Sequence, residues 1–215
     1  MKELMNKEAL KKFILKYNLD KIFEQSVVNE MKLFELESGD IVCTNGDILD
    51  RLFILVEGKI KISISLPNGK SLLLRFNNPL ALIGDVEFIH HSEVRSNVEA
   101  VNKSLLIGIS NKLLHETQSN NPDFLKFLLK HVSYKLYTFS NSSSLNLLFP
   151  VENRFASYLV STLIDDTHSN FANEMKTSKL TEIAELLGTS YRHLNRVLNK
   201  FNKDGIIERK KGSLH

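Results

Sequence analysis

The feature that most constrains this chain is a change of hydrophobic period along it. From Met31 to Ile109, short runs rich in Ile, Val, Leu and Phe are separated by turn signals at Ser38-Gly39-Asp40, Asn45-Gly46-Asp47, Glu57-Gly58, Pro67-Asn68-Gly69 and Asn77-Asn78-Pro79. A turn about every ten residues leaves room only for short strands, and such strands close into a β-sandwich or roll. Within this block KIKISISL alternates cleanly, and PNGK followed by SLLLRF reads as a hairpin turn and its return strand. On either side the period becomes that of a helix. Residues 1 to about 30 read as helical, with Leu10, Phe13, Ile14 and Tyr17 on one side. Pro122 suits the first turn of a long helix that carries Phe124, Phe127, Leu128 and Val132 on one face and Leu125, Leu129, Leu136 and Tyr137 on another. A helix apolar on two sides needs two partners. One is the roll; the other is most simply its own copy in a second subunit, with burial inside one large domain as the alternative.

Pro150 starts a further helix, VENRFASYLVSTLI, and the polar stretch DDTHSNFANEMKTS leads, with Ser178 as a cap, into EIAELLGTSYRHLNRVLNKF. Here Leu180, Ile183, Ala184 and Leu187 recur at helical spacing, and Leu194, Val197, Leu198 and Phe201 do so again. Between them Gly188 can take the left-handed conformation that ends a helix, and Thr189 or Ser190 can cap the next. The unit is helix, tight turn, helix. Opposite the second apolar stripe lie Arg192, Arg196, Asn199, Lys200 and Lys203, with no carboxylate before Asp204. A DNA major groove admits such a helix, and Arg and Asn match the acceptor and donor patterns of guanine and adenine. The residues expected to face DNA are Ser190, Tyr191, Arg192, His193, Asn195, Arg196, Asn199 and Lys200, joined by Lys210 and Lys211. Beyond the helix stop at Asp204-Gly205, IIERKKGSLH reads as a wing strand and its basic turn. A wing needs a return strand, so with His215 ending the chain the expectation is a truncated or incomplete wing.

The net charge of +3 over 215 residues conceals a division. From Lys176 to His215 there are nine Lys or Arg against four acids, which leaves 19 basic and 21 acidic residues for the remainder. Positive charge is concentrated where phosphate contacts are wanted. No run approaches the roughly 18 apolar residues of a membrane span, and the charged start MKELMNKEALKK lacks a signal core, so a cytoplasmic protein without a membrane partner is expected. The single Cys43 can form no internal disulfide and cannot alone hold an iron–sulfur cluster. No catalytic residues are assigned: there is no nucleophile–base set, metal-ligand spacing or GxxxxGK loop, and an enzyme is not expected.

In this order, roll, long helix and helix-turn-helix resemble the cyclic AMP receptor protein and FNR (Crp/Fnr) family of bacterial regulators. The resemblance rests most on GDIVCTNGDILDRLFILVEGKIKI and EIAELLGTSYRHLNRVL, and SYRHLNRVL is closest to the YeiL-like branch. It implies an α+β fold: N-terminal helices and a cyclic-nucleotide-binding-like β-roll (a double-stranded β-helix or jelly roll) over 1–118, a dimerisation helix over 119–148, and a winged helix-turn-helix over 149–215. It also implies a homodimeric transcription regulator that reads two-fold-symmetric double-stranded DNA in promoters and works with RNA polymerase.

The family's nucleotide site is a Gly-Glu pair followed by Arg-Ser. Here IGDVEF and VRSNVEA stand in its place, and Gly84, Asp85, Glu87, Arg95 and Ser96 are the effector-site candidates. A guanidinium beside a hydroxyl and a glycine-opened turn can cradle a phosphate. Yet Asp85 is one methylene shorter than the family's Glu, and Glu87 either serves instead or pairs with Arg95. A cyclic nucleotide, another small-molecule effector and no ligand at all remain as readings. Ser140 stands where the family places an adenine-contacting hydroxyl, or else it caps a helix break within SNSSS. His90-His91 lie near where haem-sensing relatives place an axial ligand, but adjacent loop histidines read as solvated and haem is not expected. Cys43, in IVCT, reads as a small core residue rather than a redox switch. The family's recognition pattern, Arg-Glu and then Arg four residues after the Glu, becomes Tyr191, Arg192 and Arg196, so its familiar half-site is not expected. The competing class is a cyclic-nucleotide-sensing module acting through protein partners, which specific duplex binding separates from a DNA reader.

Overall fold

The computed structural model describes residues 1–65, 71–163, 179–207, 209–210 and 213–214. The punctuated block forms strands β2 (Lys32–Leu36), β3 (Ile41–Cys43), β4 (Arg51–Glu57), β5 (Ile60–Ser65), β6 (Ser71–Asn77), β7 (Ala81–Ile83), β8 (Asn97–Ala100) and β9 (Ser104–Ser110). With β1 (Lys2–Leu4) they make two antiparallel sheets, ordered β1-β2-β9-β4-β7 and β3-β8-β5-β6. The expected hairpin is present, Ile60 opposite Asn77 and Ser65 opposite Ser71, while its PNGK turn lies outside the described residues. The inward faces of the sheets meet in a core that includes Phe34, Leu36, Leu55, Ile60, Val98 and Leu106. Cys43 belongs to it. Burial pushes its thiol up to about 12, so it packs as a small apolar residue.

The start of the chain differs from the all-helical expectation. Lys2–Leu4 extend along β2, and only then come α1 (Lys7–Lys16), a 3-10 turn (Leu19–Lys21) and α2 (Gln25–Glu30). The open backbone edge of β2 offers three residues better hydrogen bonding than a frayed helix end would, and Lys32 pairs with Glu3 at 3.1 Å across it. Phe13, Leu19, Phe23 and Val27 cover the outer face of the larger sheet, together with Leu114 of α4 (Asn111–Gln118) and Phe124, Phe127 and Leu128. Strand β4 lies between the two cores, which is why LFILV is buried without alternation.

Helix α5 spans Pro122–Leu148, with Asn121 as its cap, accepting from the amides of Asp123 and Phe124. It runs unbroken through SNSSS, because the Ser144 hydroxyl donates to the Ser140 carbonyl at 2.8 Å rather than competing for helix amides. Ser140 therefore caps no break. The inward face buries Phe124, Phe127 and Leu128, whereas Leu129 and Tyr137 on the other face are 67% and 70% exposed.

The C-terminal unit comprises α6 (Val151–Leu163), α7 (Leu180–Leu186), α8 (Tyr191–Lys203) and the short ribbon β10 (Arg209–Lys210) and β11 (Ser213–Leu214). The expected cap Ser178 lies outside the described residues; Lys179 occupies the cap position of α7. Seven residues of helix are unstable alone. Here Ile183, Ala184 and Leu187 are held by Val151, Phe155, Tyr158, Leu194, Val197, Leu198 and Phe201. Each large side chain fully buried in this way contributes about 1.5–3 kcal/mol. Helix α7 also packs on β6 of the roll, and Glu182 approaches Lys61 at 3.9 Å.

Candidate nucleic-acid interface and effector seam

Helix α7 ends in a Schellman turn: the Gly188 amide bonds to the Glu185 carbonyl at 3.0 Å and the Thr189 amide to that of Ala184 at 2.9 Å. Gly188 has φ +58°, the left-handed conformation this turn requires. Of the two expected caps, Ser190 serves α8, accepting from the His193 amide at 3.1 Å. The guanidinium of Arg154 on α6 bonds to the Leu187 carbonyl and, at 3.2 Å, to Asn146 near the end of α5. The turn is thereby tied to the long helix. Nothing in the sequence singles out Arg154, because its partners are a backbone oxygen thirty-three residues away and the side-chain amide of Asn146 on another helix.

The two faces of α8 divide as their periodicity implies. Leu194, Val197, Leu198 and Phe201 are buried, and Tyr191, Arg192, Arg196, Asn199, Lys200 and Lys203 are exposed. His193 and Asn195 are half-buried at the margins, and Ser190 is exposed at the cap. The exposed stripe has the width and the donor-rich chemistry of a groove-reading surface. After Gly205 at φ +71°, β10 pairs with β11, Arg209 opposite Leu214 and Lys210 opposite Ser213. The wing thus has a return strand, two residues long, where an incomplete one was expected. Lys211 lies outside the described residues, and Lys210 is described in its backbone only.

The effector candidates are less unified. Gly84 opens α3 (Asp85–His90) at φ +87°, and a Cβ there would meet the Arg51 carbonyl at 3.2 Å. Asp85 is 1% exposed, but its carboxylate is engaged by the ammonium of Lys135 on α5, which also donates to the Leu82 carbonyl at 2.9 Å. Glu87 and Ser96 are half-buried, Arg95 and Ser140 are exposed, and among the described residues no ion pair joins Glu87 to Arg95. Asp85 Oδ1 is thus committed to a buried cation, while its Oδ2 is buried without a hydrogen-bond partner.

Sequence reading missed Lys135. It lies on the same helical stripe as Phe124, Leu128, His131 and Thr138, so a lysine on a buried face was the available signal. Burial pulls its pKa below the ordinary value, against the opposing pull of Asp85, with neighbouring Arg75 adding to the depression. Burial likewise lowers His131 to about 4, with Lys135 contributing, and leaves that ring neutral. Two cavities flank this pair. One, of about 290 Å³, lies between β6, α3, α5 and α7; the other, of about 400 Å³, lies between the β6–β7 segment and α5. Arg75 and Lys135 line both, and none of the six effector candidates lines either.

His90 and His91 are exposed, and the ring of His91 sits 4.9 Å from that of His115. Among the described residues no group of three His, Cys, Asp or Glu is placed to hold a metal ion, and no helix is long and apolar enough to cross a membrane.

The description of the cyclic nucleotide-binding domain matches residues 33–121, and that of the Crp-like helix-turn-helix domain matches residues 153–215. The chain is 30% identical over 193 residues to the regulatory protein YeiL of Escherichia coli O157:H7, covering 89% of this chain and 84% of that protein. It is 23% identical over 184 residues to a CRP-like cAMP-activated global transcriptional regulator of Mycobacterium tuberculosis, covering 85% and 82%. Its fold is similar to that of the c-di-GMP responsive global regulator CLP of Xanthomonas campestris, with TM-score 0.74, 16% identity and coverage of 96% and 97%. A CRP/FNR-family transcriptional regulator of Thermus thermophilus gives TM-score 0.68 at 19% identity, covering 85% and 91%. Roll and reader are matched together in one relative over most of both chains, and this chain accordingly belongs to the Crp/Fnr family, whose members are transcription regulators and not enzymes.

Proposed function

We propose that the chain acts as a homodimer, joined through the outward face of α5, that places two copies of α8 in successive major grooves of a two-fold-symmetric promoter site. The observation that carries this reading is the exposed stripe Arg192, Arg196, Asn199 and Lys200 on a helix whose opposite face is fully committed to the core. Leu129, Tyr137 and Leu147, at 67%, 70% and 85% exposure, supply an apolar face that one roll leaves uncovered. Symmetry then requires half-sites about one helical turn, roughly 34 Å, apart. Arg192 and Arg196 near the start of α8 contact bases; Lys200, Lys210 and Lys211 contact phosphates. RNA polymerase is the partner at the promoter, and an effector held at the roll modulates binding.

Selection of bound duplexes from random DNA tests the reading directly, and should return an inverted repeat. Sedimentation of Leu129→Glu should show a monomer with a greatly weakened hold on that repeat. A wild-type monomer at micromolar concentration, or enrichment of sequences without symmetry, would overturn it.

A further inference from the structure

The reader joins the long helix through very little backbone. Helix α5 ends at Leu148 and α6 begins at Val151, so Phe149 and Pro150 alone connect them, and Phe149 is extended at φ −119° and ψ 144°. A link this short keeps two helix ends close together but leaves the angle between the helices to side chains. The guanidinium of Arg154, in the first turn of α6, takes hold at that junction. Its Nη1 donates to the Leu187 carbonyl at the end of α7 and, at 3.2 Å, to Oδ1 of Asn146 on α5.

The two bonds differ in kind. Carbonyls at a helix C-terminus have no partner within the helix and carry the negative end of its dipole, so a cation there makes a charge-assisted bond that would serve any pair of packed helices. The bond to Asn146 instead crosses from the reader to the long helix. Asn146 falls one turn beyond Ser142 on the stripe Val132, Lys135, Phe139 and Ser142, away from the face of Leu129, Tyr137 and Leu147. Gly188, in the turn before α8, abuts the same place: a Cβ on it would stand 3.5 Å from Nη1 and 3.8 Å from the Asn146 amide. One polar junction therefore joins the end of α5, the start of α6 and the turn that leads into the recognition helix. The reader's other attachment, α7 on β6, has a looser ion pair, with Lys61 3.9 Å from Glu182 and nearer to Glu99 at 2.8 Å.

In a dimer joined along α5, the angle of each reader on its own α5 sets the distance and twist between the two copies of α8. One base pair added or removed between half-sites shifts one of them by about 3.4 Å and turns it by about 34°. A reader free to swivel absorbs that change; one held at a fixed angle does not.

We infer that Arg154 is a positioning residue for DNA reading: through Asn146 it fixes the angle of the reader on α5 and so makes binding selective for the spacing between half-sites. It touches no base itself. The inference rests on the dimeric reading proposed above.

The test measures affinity of the full chain for the selected inverted repeat, for the same duplex with one central base pair removed or one added, and for a single half-site. Wild type should bind each altered duplex about tenfold more weakly than the parent, whereas Asn146→Leu and Arg154→Met should bind all three within about threefold, with half-site affinity unchanged. Asn146→Leu is the cleaner variant, because it leaves the bond from Arg154 to the end of α7 in place. If Arg154 served only to hold α6 to α7, Arg154→Met would weaken every duplex equally and Asn146→Leu would leave the spacing preference intact. Wild-type discrimination surviving in either variant would therefore overturn the inference, as would its loss in Lys61→Gln, since any loosened contact would then suffice. A wild-type dimer that selects an inverted repeat yet ignores its spacing overturns the inference and leaves the dimeric reading standing; selection of sequences without symmetry removes both.

Discussion

The reading helix and the seam beside α5 use the same residue types, arginine and lysine beside aliphatic side chains, to opposite ends. On α8 the cations face out and the apolar side chains face in, so each group is in its preferred medium and the surface is available to a partner. At the seam, Lys135 is turned inward among Val132, Leu136 and Phe76 and survives there because Asp85 neutralises it. A cation in water contributes through long-range attraction that salt screens, whereas a buried one is costly unless its partner is in place. The first arrangement suits recognition of a polyanion. The second ties the roll, α3 and α5 through one buried ion pair, beside the apolar packing of Phe124, Phe127 and Leu128.

The largest effect of any polar substitution should therefore come from the seam. Asp85→Ala strands the Lys135 ammonium and should cost about 3–5 kcal/mol in denaturant unfolding. Adding Lys135→Met should restore most of this; a double variant as unstable as the single one would show that the pair is not the issue.

Next comes acid sensitivity. His131 is held neutral, its pKa lowered from 6.5 to about 4 by burial. The unfolded chain therefore binds a proton that the folded chain refuses, and stability contributed above pH 6.5 is lost as pH falls toward 4. At about 1.4 kcal/mol per pH unit the ceiling is roughly 3 kcal/mol, and partial exposure of the ring reduces it. His131→Gln should flatten the melting-temperature profile between these limits and leave it parallel to wild type above pH 7.

On α8 the effects should lie in recognition instead. Arg196→Ala should remove about 1–3 kcal/mol of preference at one base position per half-site, while Lys200→Ala weakens every duplex alike and lowers the salt slope by about one. Reversed roles, seen in single-base variants and salt titrations, would erase the distinction drawn between the two residues. The smallest change belongs to Ser190→Ala, which deletes the cap of α8 and should cost about 1 kcal/mol of stability with base preference intact.

The same contrast explains what could be read in advance. The roll, the long helix and the helix pair each announce themselves through local period and turn residues, and the exposed stripe of α8 follows from position alone. So does the two-faced character of α5. The seam was not legible, because its meaning depends on partners distant in sequence: Lys135 on Asp85, fifty residues apart, and Arg154 on Leu187, thirty-three apart. Family resemblance pointed to Asp85 as an effector-site candidate, but not to the Lys135 ammonium that pairs with it. The strand at Lys2–Leu4 escaped for a related reason, since it exists only to complete an edge set by β2.

Arg154 adds a mechanical consequence. By gripping both the turn after α7 and Asn146, it makes the reader an extension of α5 rather than a pendant body. The stretch from Lys135 to Leu148 is then the arm of a lever about 20 Å long, at about 1.5 Å per residue. A tilt of about 10° pivoted at Lys135 carries its far end roughly 3.5 Å, close to the rise of one base pair at about 3.4 Å. A displacement too small to disturb the packing of the roll is thus large enough, at the other end of the molecule, to bring a recognition helix into or out of step with the groove.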